Sequence, residues 1–419
     1  MNPSPAIVTG QQIGLLGGPL YTTYKVLGAI HLAHQLQGQA IYWLETNDAD
    51  FNEINHIDYL DNNGQLQSLV WDIPSQGFSC GLIPVDNQLI SVLETFFATI
   101  RPTQFTPRLQ ELVLDCYTLG QTLGEASLKL ASHLFHNFPL QLFTPAQREF
   151  RDFSRPILLK EAQLTPDGEQ CHLFCMVGSQ RKSIFKKGEA FYLRDNTLVN
   201  LNDYELVPNV KTRNVCQDAY FNTHTYVAGP GEIKYIAQLD PFYLVHGVKK
   251  SAVQPRMSIT LIEPRVSRLL VKTGLTLQDV LGISADELLK KVLKENSTGG
   301  FDFNQILQSS MDITETYLSQ LETLGLEVSE IKNLRKYLRP EVKKACGNLR
   351  AREKEKHQRL LTDVRSLSDN LYPLGKRQER VFNIFYYMNL YGGVDFIPYL
   401  YQHYEQQREV LEIYYEHEQ

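Results

Sequence analysis

The feature that most constrains the fold is a strand–turn–helix–strand unit in the first sixty residues. A short apolar strand, Ala6-Ile7-Val8, runs directly into a glycine-rich turn over Thr9–Pro19. Apolar residues at three- and four-residue spacings then predict a helix, and Ala40–Leu44 predicts a second strand. Ligands of such βαβ units lie at the carboxyl ends of the parallel strands. We therefore expect Gly10 and the acidic loop Asp48-Ala49-Asp50 at one edge of a sheet.

Size and charge narrow the class of protein. The chain has 419 residues, of which 43% are hydrophobic and 21% charged; this composition is typical of a globular protein, and the length predicts two or three units. A net charge of −6 gives no general reason to expect nucleic acid or an anionic membrane as partner. No apolar run reaches the roughly 20 residues that span a bilayer, and the first residues lack the pattern of a signal peptide. Six cysteines in so long a chain do not indicate a disulfide framework, so we expect a cytoplasmic protein with free thiols.

The next hundred residues add a hairpin, helices and a third core strand. His56–Asp61 and Gln65–Trp71 flank a strong turn signal and predict a β-hairpin. Apolar spacing then predicts one long helix from near Pro107 to Phe138, and Leu140–Phe143 predicts another strand of the core.

A β-rich segment interrupts this order. Residues 164–213 contain short β-rich runs between polar turns, which we interpret as a small β insertion into the core. The strand Thr225–Ala228, the glycine turn that follows, a helix from Glu232 to about His246 and a strand at 251–255 then repeat the opening pattern. Two such halves predict an α/β fold with a Rossmann-like parallel sheet.

Strand signals disappear from about residue 285. Apolar residues there alternate at spacings of three and four, as in a coiled coil, and form the seam Ile331, Leu334, Leu338, Val342, Ala345 and Leu349. We divide the chain into a core at 1–285, a helical coiled-coil domain at 286–373, and C-terminal helices at 374–419 that pack back on the core. Because a lone helix would leave the seam exposed, we expect a homodimer through the helices between about 300 and 371. An antiparallel helix pair within one chain is the alternative.

Three carboxylates after the second strand are the first candidates for chemistry. Asp48, Asp50 and Glu53 stand within six residues at the predicted ligand edge. They are suited to bind an amine, accept a proton or hold Mg²⁺. Alternatively, Asp48 or Asp50 caps the next helix.

The two glycine turns are the second candidates. The first contains Gly10, Gly14, Gly17 and Gly18 with Gln11 and Gln12, and the second is Gly229-Pro230-Gly231-Glu232. Glycines let the backbone approach a ligand, and amides at a helix start can receive an anion, whereas a tightly packed turn is the other interpretation.

Arginines flank the last core strand. Arg256 and Arg265 carry planar guanidinium groups that suit phosphate or carboxylate, although pairing with Glu263 or Glu232 is equally consistent with the sequence.

Two further patterns do not indicate a site. Cys171 and Cys175 share one face of a predicted strand while His172 points away, so we predict no metal site there. The basic run from Lys343 to Arg359 is interrupted by acidic residues, and we interpret it as a solvated helix face.

Taken together, the motifs resemble a known family, the bacillithiol biosynthesis cysteine-adding enzymes. The resemblance rests on runs that recur in the family's order over essentially the whole chain, which are Thr9–Lys25, Asp48–His56, Val227–Gln238, Glu263–Val266 and Gln378–Asn383. It implies a Rossmann-like core with insertions, a coiled-coil domain that mediates dimerisation, and a nucleotide (ATP or ADP) bound between core and helices. The implied reaction joins cysteine to glucosaminyl malate, an amino-sugar conjugate.

The resemblance also implies roles for residues. Asp48 and Asp50 would be catalytic, and substrate would contact Gly10, Gln11, Gln12, Tyr21, Lys25, Glu53, Asn55 and His56. The nucleotide would lie against Gly229, Gly231, Glu232, Arg256, Arg265 and Arg380.

The chain departs from the family in its acidic motif. The family reads Glu-Asp-His-Asp where this chain has Asn47-Asp48-Ala49-Asp50, so a carboxylate and an imidazole are replaced. Two alternatives to cysteine ligation follow: a divergent member that acts on another amino acid or amine, and a non-catalytic binding protein. An RNA-binding relative of class I synthetase cores is a third, disfavoured by the net charge.

Overall fold

The chain divides into two units, and among the described residues the strands all belong to the first. The structure is a computed structural model that describes residues 4–75, 77–296, 303–404 and 409–413. The first unit comprises residues 1–264 and 376–419, and the second comprises residues 265–375. Within the described ranges, no helix is both long and apolar enough to cross a membrane.

The strands are numbered in chain order. They are β1 (Ala6–Gln12), β2 (Gln39–Glu45), β3 (His56–Leu60), β4 (Leu66–Val70), β5 (Leu140–Phe143), β6 (Gln170–Val177), β7 (Gln180–Lys187), β8 (Ala190–Leu193), β9 (Leu198–Val199), β10 (Leu206–Pro208), β11 (Thr223–Ala228), β12 (Ala252–Pro255), β13 (Thr260–Ile262) and β14 (Val410–Glu412).

The α-helices are numbered in the same way. They are α1 (Leu20–Leu36), α2 (Asn87–Thr99), α3 (Thr106–Cys116), α4 (Leu123–Leu134), α5 (Arg148–Leu164), α6 (Val210–Phe221), α7 (Pro230–Ile236), α8 (Asp240–His246), α9 (Pro264–Thr273), α10 (Leu277–Val280), α11 (Ala285–Asn296), α12 (Phe303–Thr323), α13 (Val328–Leu371), α14 (Ile384–Leu390) and α15 (Phe396–Gln402).

A parallel sheet confirms the predicted Rossmann-like core. Its spatial order is β12-β11-β1-β2-β5, and each neighbouring pair is parallel. The chain builds outwards from β1 through β2 and β5, then returns to the other side of β1 through β11 and β12. The direction of winding therefore reverses between β1 and β11, and this is the point where open α/β sheets bind ligands.

The central strands β1, β2 and β11 are largely buried on both faces, as parallel strands are when helices cover the sheet. Successive residues point to opposite sides, so Ile7 and Tyr42 enter one apolar cluster while Val8 and Trp43 enter the other. The strand β1 extends beyond the predicted Ala6-Ile7-Val8 to Gln12, which carries Gly10 along as a strand residue.

The predicted β insertion is a second, antiparallel sheet in the order β10-β6-β7-β8-β9. Its β6–β7 hairpin is tied to a loop of the first unit by backbone hydrogen bonds. Ser79 N donates to Ser179 O at 2.9 Å, and Arg181 N donates to Gly77 O at 2.9 Å. These bonds hold the hairpin above the carboxyl end of the parallel sheet.

Two predicted helices are wrong in their extent. The single helix from near Pro107 to Phe138 is the pair α3 and α4, because Thr122 begins a new helix through a capping box with Glu125. The helix from Glu232 to about His246 is likewise the pair α7 and α8, since a proline in the first turn of α8 starts a separate helix.

The second unit is helical, and the predicted coiled-coil character is confirmed. The helices α12 and α13 pack as an antiparallel pair in which Glu315 contacts Arg335 at 3.1 Å and Arg339 at 2.6 Å. Ile331 of the predicted seam is buried, whereas Leu349 is exposed. The antiparallel pair within one chain, the alternative to a dimer, thus covers the first part of the seam.

The segment after residue 376 returns to the first unit. Its Phe382, Phe385 and Tyr387 are buried in the cluster on one face of the parallel sheet. The buried pair Arg256–Glu379 joins it to the end of β12, with Nη2 2.6 Å from Oε1.

We expect Glu379→Ala to lower the free energy of unfolding by about 3–5 kcal/mol, because it leaves the Arg256 guanidinium buried without its counter-charge. Urea unfolding measures this loss. The double variant Arg256→Met with Glu379→Leu removes both charges and is expected to lose less. A double variant less stable than Glu379→Ala would contradict this account of the pair.

Candidate functional site

A cavity of about 410 Å³ lies at the carboxyl ends of β1 and β2, at the point where the sheet reverses its winding. Residues of the sheet, of α6, of the α7 turn and of the β insertion enclose it. They are Gly10, Gln11, Gln12, Glu45, Asp48, Phe174, Arg181, Pro208, Asn209, Val210, Arg213, Glu232 and Tyr235. The volume falls within the range of small-molecule sites.

A buried ion pair supports the floor of this cavity. Lys25 on α1 is almost wholly buried, and its Nζ contacts Glu232 Oε2 at 2.6 Å. The same ammonium donates to Gln11 Oε1 at 3.1 Å and to the carbonyl oxygen of Gly10. Residues of β1 and α7 therefore accept from all three N–H groups of the Lys25 ammonium. Lys25 thus connects the two glycine turns predicted from the sequence.

Burial and pairing act on both members of this pair. Burial lowers the pKa of Lys25, and the Glu232 carboxylate only partly offsets the effect. Burial acts to raise the pKa of Glu232, but the Lys25 ammonium, the Gly229 amide and Arg213 outweigh it and hold that pKa below its usual value. Glu232 is therefore ionised and engaged at neutral pH.

Arg213 on α6 contributes a cation to the cavity without a carboxylate in direct contact among the described residues. Its guanidinium donates to Gln217 Oε1 at 3.0 Å, to the Tyr235 hydroxyl at 3.2 Å and to the Tyr226 hydroxyl at 3.4 Å. It also lies over the rings of Trp43 and Tyr226. These neutral partners orient the guanidinium, and Glu45 and Glu232 interact with its charge at longer range.

Asp48 also lines the cavity and is held by three groups. Its Oδ1 accepts from Arg181 Nη2 at 2.9 Å and from Ala49 N at 2.7 Å, and its Oδ2 accepts from Gln12 Nε2. Burial acts to raise the pKa of Asp48, but the Gln12 amide, Arg181 and backbone amides together bring it below the usual value. Asp48 is thus a fixed negative charge.

Glu45 is the third carboxylate of the cavity and ends β2. Its Oε2 accepts from Trp43 Nε1 at 2.9 Å, and its Oε1 accepts from Asn47 N at 3.0 Å. Burial raises the pKa of Glu45 above the ordinary value for a glutamate, and Arg213 and the two hydrogen bonds offset this only in part.

The remaining acidic-loop residues lie outside this cavity. Asp50 is exposed in an open cleft beside Asp72, and Glu53 and His56 are exposed beside a small crevice near Asn383. Asn55 is buried and has a structural role. Its side-chain Nδ2 donates to the backbone carbonyl oxygen of Trp71, and its backbone carbonyl oxygen accepts from Trp71 N. Across the described ranges, no cluster of three His, Cys, Asp or Glu side chains could hold a metal ion.

Tyr21 contacts several of the other predicted site residues. Its hydroxyl accepts from Gln11 Nε2 at 3.2 Å, and the guanidinium groups of Arg256 and Arg380 lie 5.4 and 5.9 Å from its ring centre. Arg265 belongs to α9 and is exposed.

The second glycine turn does not fit a nucleotide phosphate. Gly229 N already donates to Glu232 Oε2 at 2.8 Å, and Pro230 has no N–H. The Glu232 carboxylate would repel a phosphate at this helix start, and the nearby Arg256 is neutralised by Glu379.

Sequence reasoning missed the cations of the cavity and one of its carboxylates. Arg181 comes from the β insertion and Arg213 from α6, and neither stands in a motif that indicated a ligand. Glu45 directly follows the predicted strand Ala40–Leu44, and that position at the ligand edge was the available signal.

Comparison with known protein families shows to which family the chain belongs. Residues 2–165 and 158–257 match the family described as Bacillithiol biosynthesis BshC, N-terminal Rossmann-like domain, and residues 259–415 match its C-terminal coiled-coil domain. The chain belongs to the BshC family. The resemblance found in the sequence motifs is thereby confirmed.

Relatives of this BshC family member carry the name "Putative cysteine ligase BshC". One from Chlorobaculum tepidum is 27% identical over 92% of this chain and 78% of its own length. One from Carboxydothermus hydrogenoformans is 27% identical over 92% and 80%, and one from Geobacillus sp. is 27% identical over 95% and 82%. These names support a ligase activity.

One solved structure, a "putative arginyl t-RNA synthetase" from Campylobacter jejuni, aligns over 90% of this chain and 94% of its own. Its TM-score of 0.28 and identity of 10% are too low to carry an argument.

We expect Gly10→Ala to weaken binding of an anionic ligand while Gly229→Ala leaves it unchanged. A Cβ at Gly10 would lie 3.2 Å from the Tyr226 hydroxyl and 3.3 Å from Arg213 Nη1, so both must shift. A Cβ at Gly229 meets its nearest atom at 3.4 Å, an ordinary contact. A displaced rotamer costs about 0.5–1.5 kcal/mol, or roughly a two- to tenfold loss of affinity.

Isothermal titration of both variants with malate, a dicarboxylate, measures this contrast. Equal malate affinity in wild type and Gly10→Ala would show that Arg213 does not need its present position.

Proposed function

We propose that this protein is a ligase that joins the carboxyl group of cysteine to the amino group of glucosaminyl malate. The observation that carries the proposal is the distribution of charge in the cavity. Arg213 lines it as a cation without a direct carboxylate contact among the described residues, and Asp48 and Glu45 add negative charge to the same cavity. Substrates with both carboxylates and amines match this pattern.

Each substrate has a complementary group. The malate carboxylates are the natural partners of Arg213, because guanidinium binds carboxylate in a planar, charge-assisted contact. The α-ammonium of cysteine is the natural partner of Asp48, whose carboxylate is ionised and held in place by Gln12 and Arg181. The two substrates would then lie side by side above the carboxyl ends of β1 and β2.

The reaction needs an activated carboxyl group, because a free carboxylate does not form an amide spontaneously in water. A nucleoside triphosphate is therefore a further substrate in this proposal, and one oxygen of the cysteine carboxylate leaves with the phosphorus-containing group. The amine nitrogen forms the new C–N bond and loses a proton. The role of this chain's residues is to hold the amine and the carboxyl carbon together, which lowers the entropic part of the barrier.

A second candidate is ligation of a different amino acid. Arg213 and Asp48 recognise carboxylate and ammonium groups, which all amino acids share. The cavity lining contains no Cys, His or Met that would single out a thiol. A binding protein without turnover is the remaining alternative, since Asn47 and Ala49 replace two ionisable groups of the family motif.

Mass spectrometry of a reaction with cysteine, glucosaminyl malate, ATP and Mg²⁺ tests the function. The expected result is a product heavier than glucosaminyl malate by one cysteinyl residue. A greater yield with serine or alanine in place of cysteine would favour the second candidate. Binding of glucosaminyl malate without product from any amino acid would overturn the ligase proposal.

We expect Asp48→Asn to weaken cysteine binding about ten- to a hundredfold, whereas Asp50→Asn binds like wild type. Asp48 lines the cavity, and loss of a charge-assisted bond costs roughly 1.5–3 kcal/mol. Asp50 is exposed in a different cleft and serves as the matched control. Titration calorimetry with cysteine measures both. An effect of equal size in the two variants would show that Asp48 has no special role.

We further propose a homodimer formed through the helices between about 300 and 371. Support comes from the part of the apolar seam that the antiparallel pair leaves uncovered, which includes exposed Leu349. Light scattering should give twice the chain mass at micromolar concentration, and Leu349→Glu should shift the mass towards the monomer. A monomer mass for wild type would end this proposal.

A further inference from the structure

The three carboxylates that line the cavity differ in what holds them. Glu232 contacts the Lys25 ammonium at 2.6 Å and also accepts from Gly229 N and the Tyr226 hydroxyl. Asp48 contacts the Arg181 guanidinium at 2.9 Å and accepts from the Gln12 amide. Both are therefore committed to a fixed negative charge by a neighbouring cation.

Glu45 is held only by neutral donors. Trp43 Nε1 bonds one oxygen and Asn47 N bonds the other, and no described cation lies within ion-pair distance. A carboxylate has lone pairs beyond these two, so Glu45 retains the capacity to receive a proton. Its position at the end of a buried strand, clamped at both oxygens, keeps it in one orientation towards the cavity.

We propose that Glu45 accepts the proton that the amine nitrogen loses as the amide bond forms. This assignment rests on the proposed ligase function. The amine lone pair forms the C–N bond, the nitrogen's surplus proton passes to a Glu45 oxygen, and the oxygen of the activating group leaves with the C–O electron pair. The activated carboxyl is an acyl phosphate or acyl adenylate made from the nucleoside triphosphate.

The surroundings of Glu45 suit this role. Burial raises its pKa, and the negative charge of Asp48 acts in the same direction. The Arg213 cation and the two hydrogen bonds offset this rise only in part. Tyr226, Tyr235 and Glu232 also interact electrostatically with Arg213. A base whose pKa approaches the working pH transfers protons most effectively.

The test compares Glu45→Gln, Glu45→Asp and Asp48→Asn in the mass-spectrometric ligation assay from pH 5 to 9. Wild-type kcat should rise with pH along an acid limb set by Glu45. Glu45→Gln should lose about a hundredfold or more in kcat and should lack this limb, while its affinity for glucosaminyl malate, measured by calorimetry, stays within a few-fold. Glu45→Asp should recover part of kcat and the limb. The substrate amine titrates in every variant and so cannot cause a difference between them.

Asp48→Asn is the matched comparison, because it removes a carboxylate from the same cavity. It should raise KM for cysteine and keep the acid limb, moved to lower pH because the charge of Asp48 raises the pKa of Glu45. If Glu45→Gln turns over as fast as wild type and keeps the same acid limb, the role of Glu45 is overturned and the ligase function still stands. Absence of wild-type turnover with every amino acid overturns the ligase function and the role of Glu45 with it. Thermal unfolding of each variant shows whether a loss of activity comes from misfolding. If Glu45→Gln does not fold, the kcat and the acid limb of Glu45→Asp decide whether Glu45 accepts the proton.

Discussion

The buried contact between Lys25 and Glu232 is the interaction on which the site depends. Lys25 lies on the helix that follows β1, and Glu232 lies on the helix that follows β11, so the pair joins the two βα units on either side of the winding reversal. Glu232 also accepts from the Tyr226 hydroxyl, which in turn accepts from Arg213. A chain of contacts therefore runs from the buried ammonium to the cavity cation. Breaking a buried ion pair leaves an uncompensated charge, which makes this contact costly to lose.

The same fold places three carboxylates in one cavity and gives them different properties. Glu232 and Asp48 have lowered pKa values although burial acts to raise them, since each contacts a cation and accepts hydrogen bonds, whereas Glu45 has a raised pKa because burial outweighs Arg213 and its hydrogen bonds. When their environments move the pKa values of neighbouring acids apart, one acid can stabilise charge while another transfers a proton. One cavity of about 410 Å³ thus contains an arginine cation, two carboxylates with lowered pKa values and one with a raised pKa.

Much of the core could be predicted from sequence because it depends on local pattern. The apolar runs of β1 and β2, the glycine turns after strands and the loss of strand signals near residue 285 are all patterns over short distances along the chain. The helix break at Thr122 was missed, since a capping box competes with an apolar pattern that continues through it. Asp48 and Gly10 were placed correctly at the sheet edge for the same local reason.

The rest of the site depends on contacts between distant parts of the chain. Arg181 reaches Asp48 across 133 residues, and no spacing rule relates a strand of the insertion to the acidic loop. Asp50 and His56 lie outside the cavity that Asp48 lines, and the short turn Phe51–Glu53 separates them from each other along the chain. Residues that are close together in the acidic motif therefore do not all line the same cavity.

A crystal structure of the complex with glucosaminyl malate tests the central claim, that the cavity at the winding reversal is the substrate site. The account predicts a malate carboxylate within hydrogen-bonding distance of the Arg213 guanidinium and the sugar amine on the Glu45 side of the cavity. Ligand density in the cleft beside Asp50 and Asp72, with the cavity around Arg213 filled only by water, would contradict it.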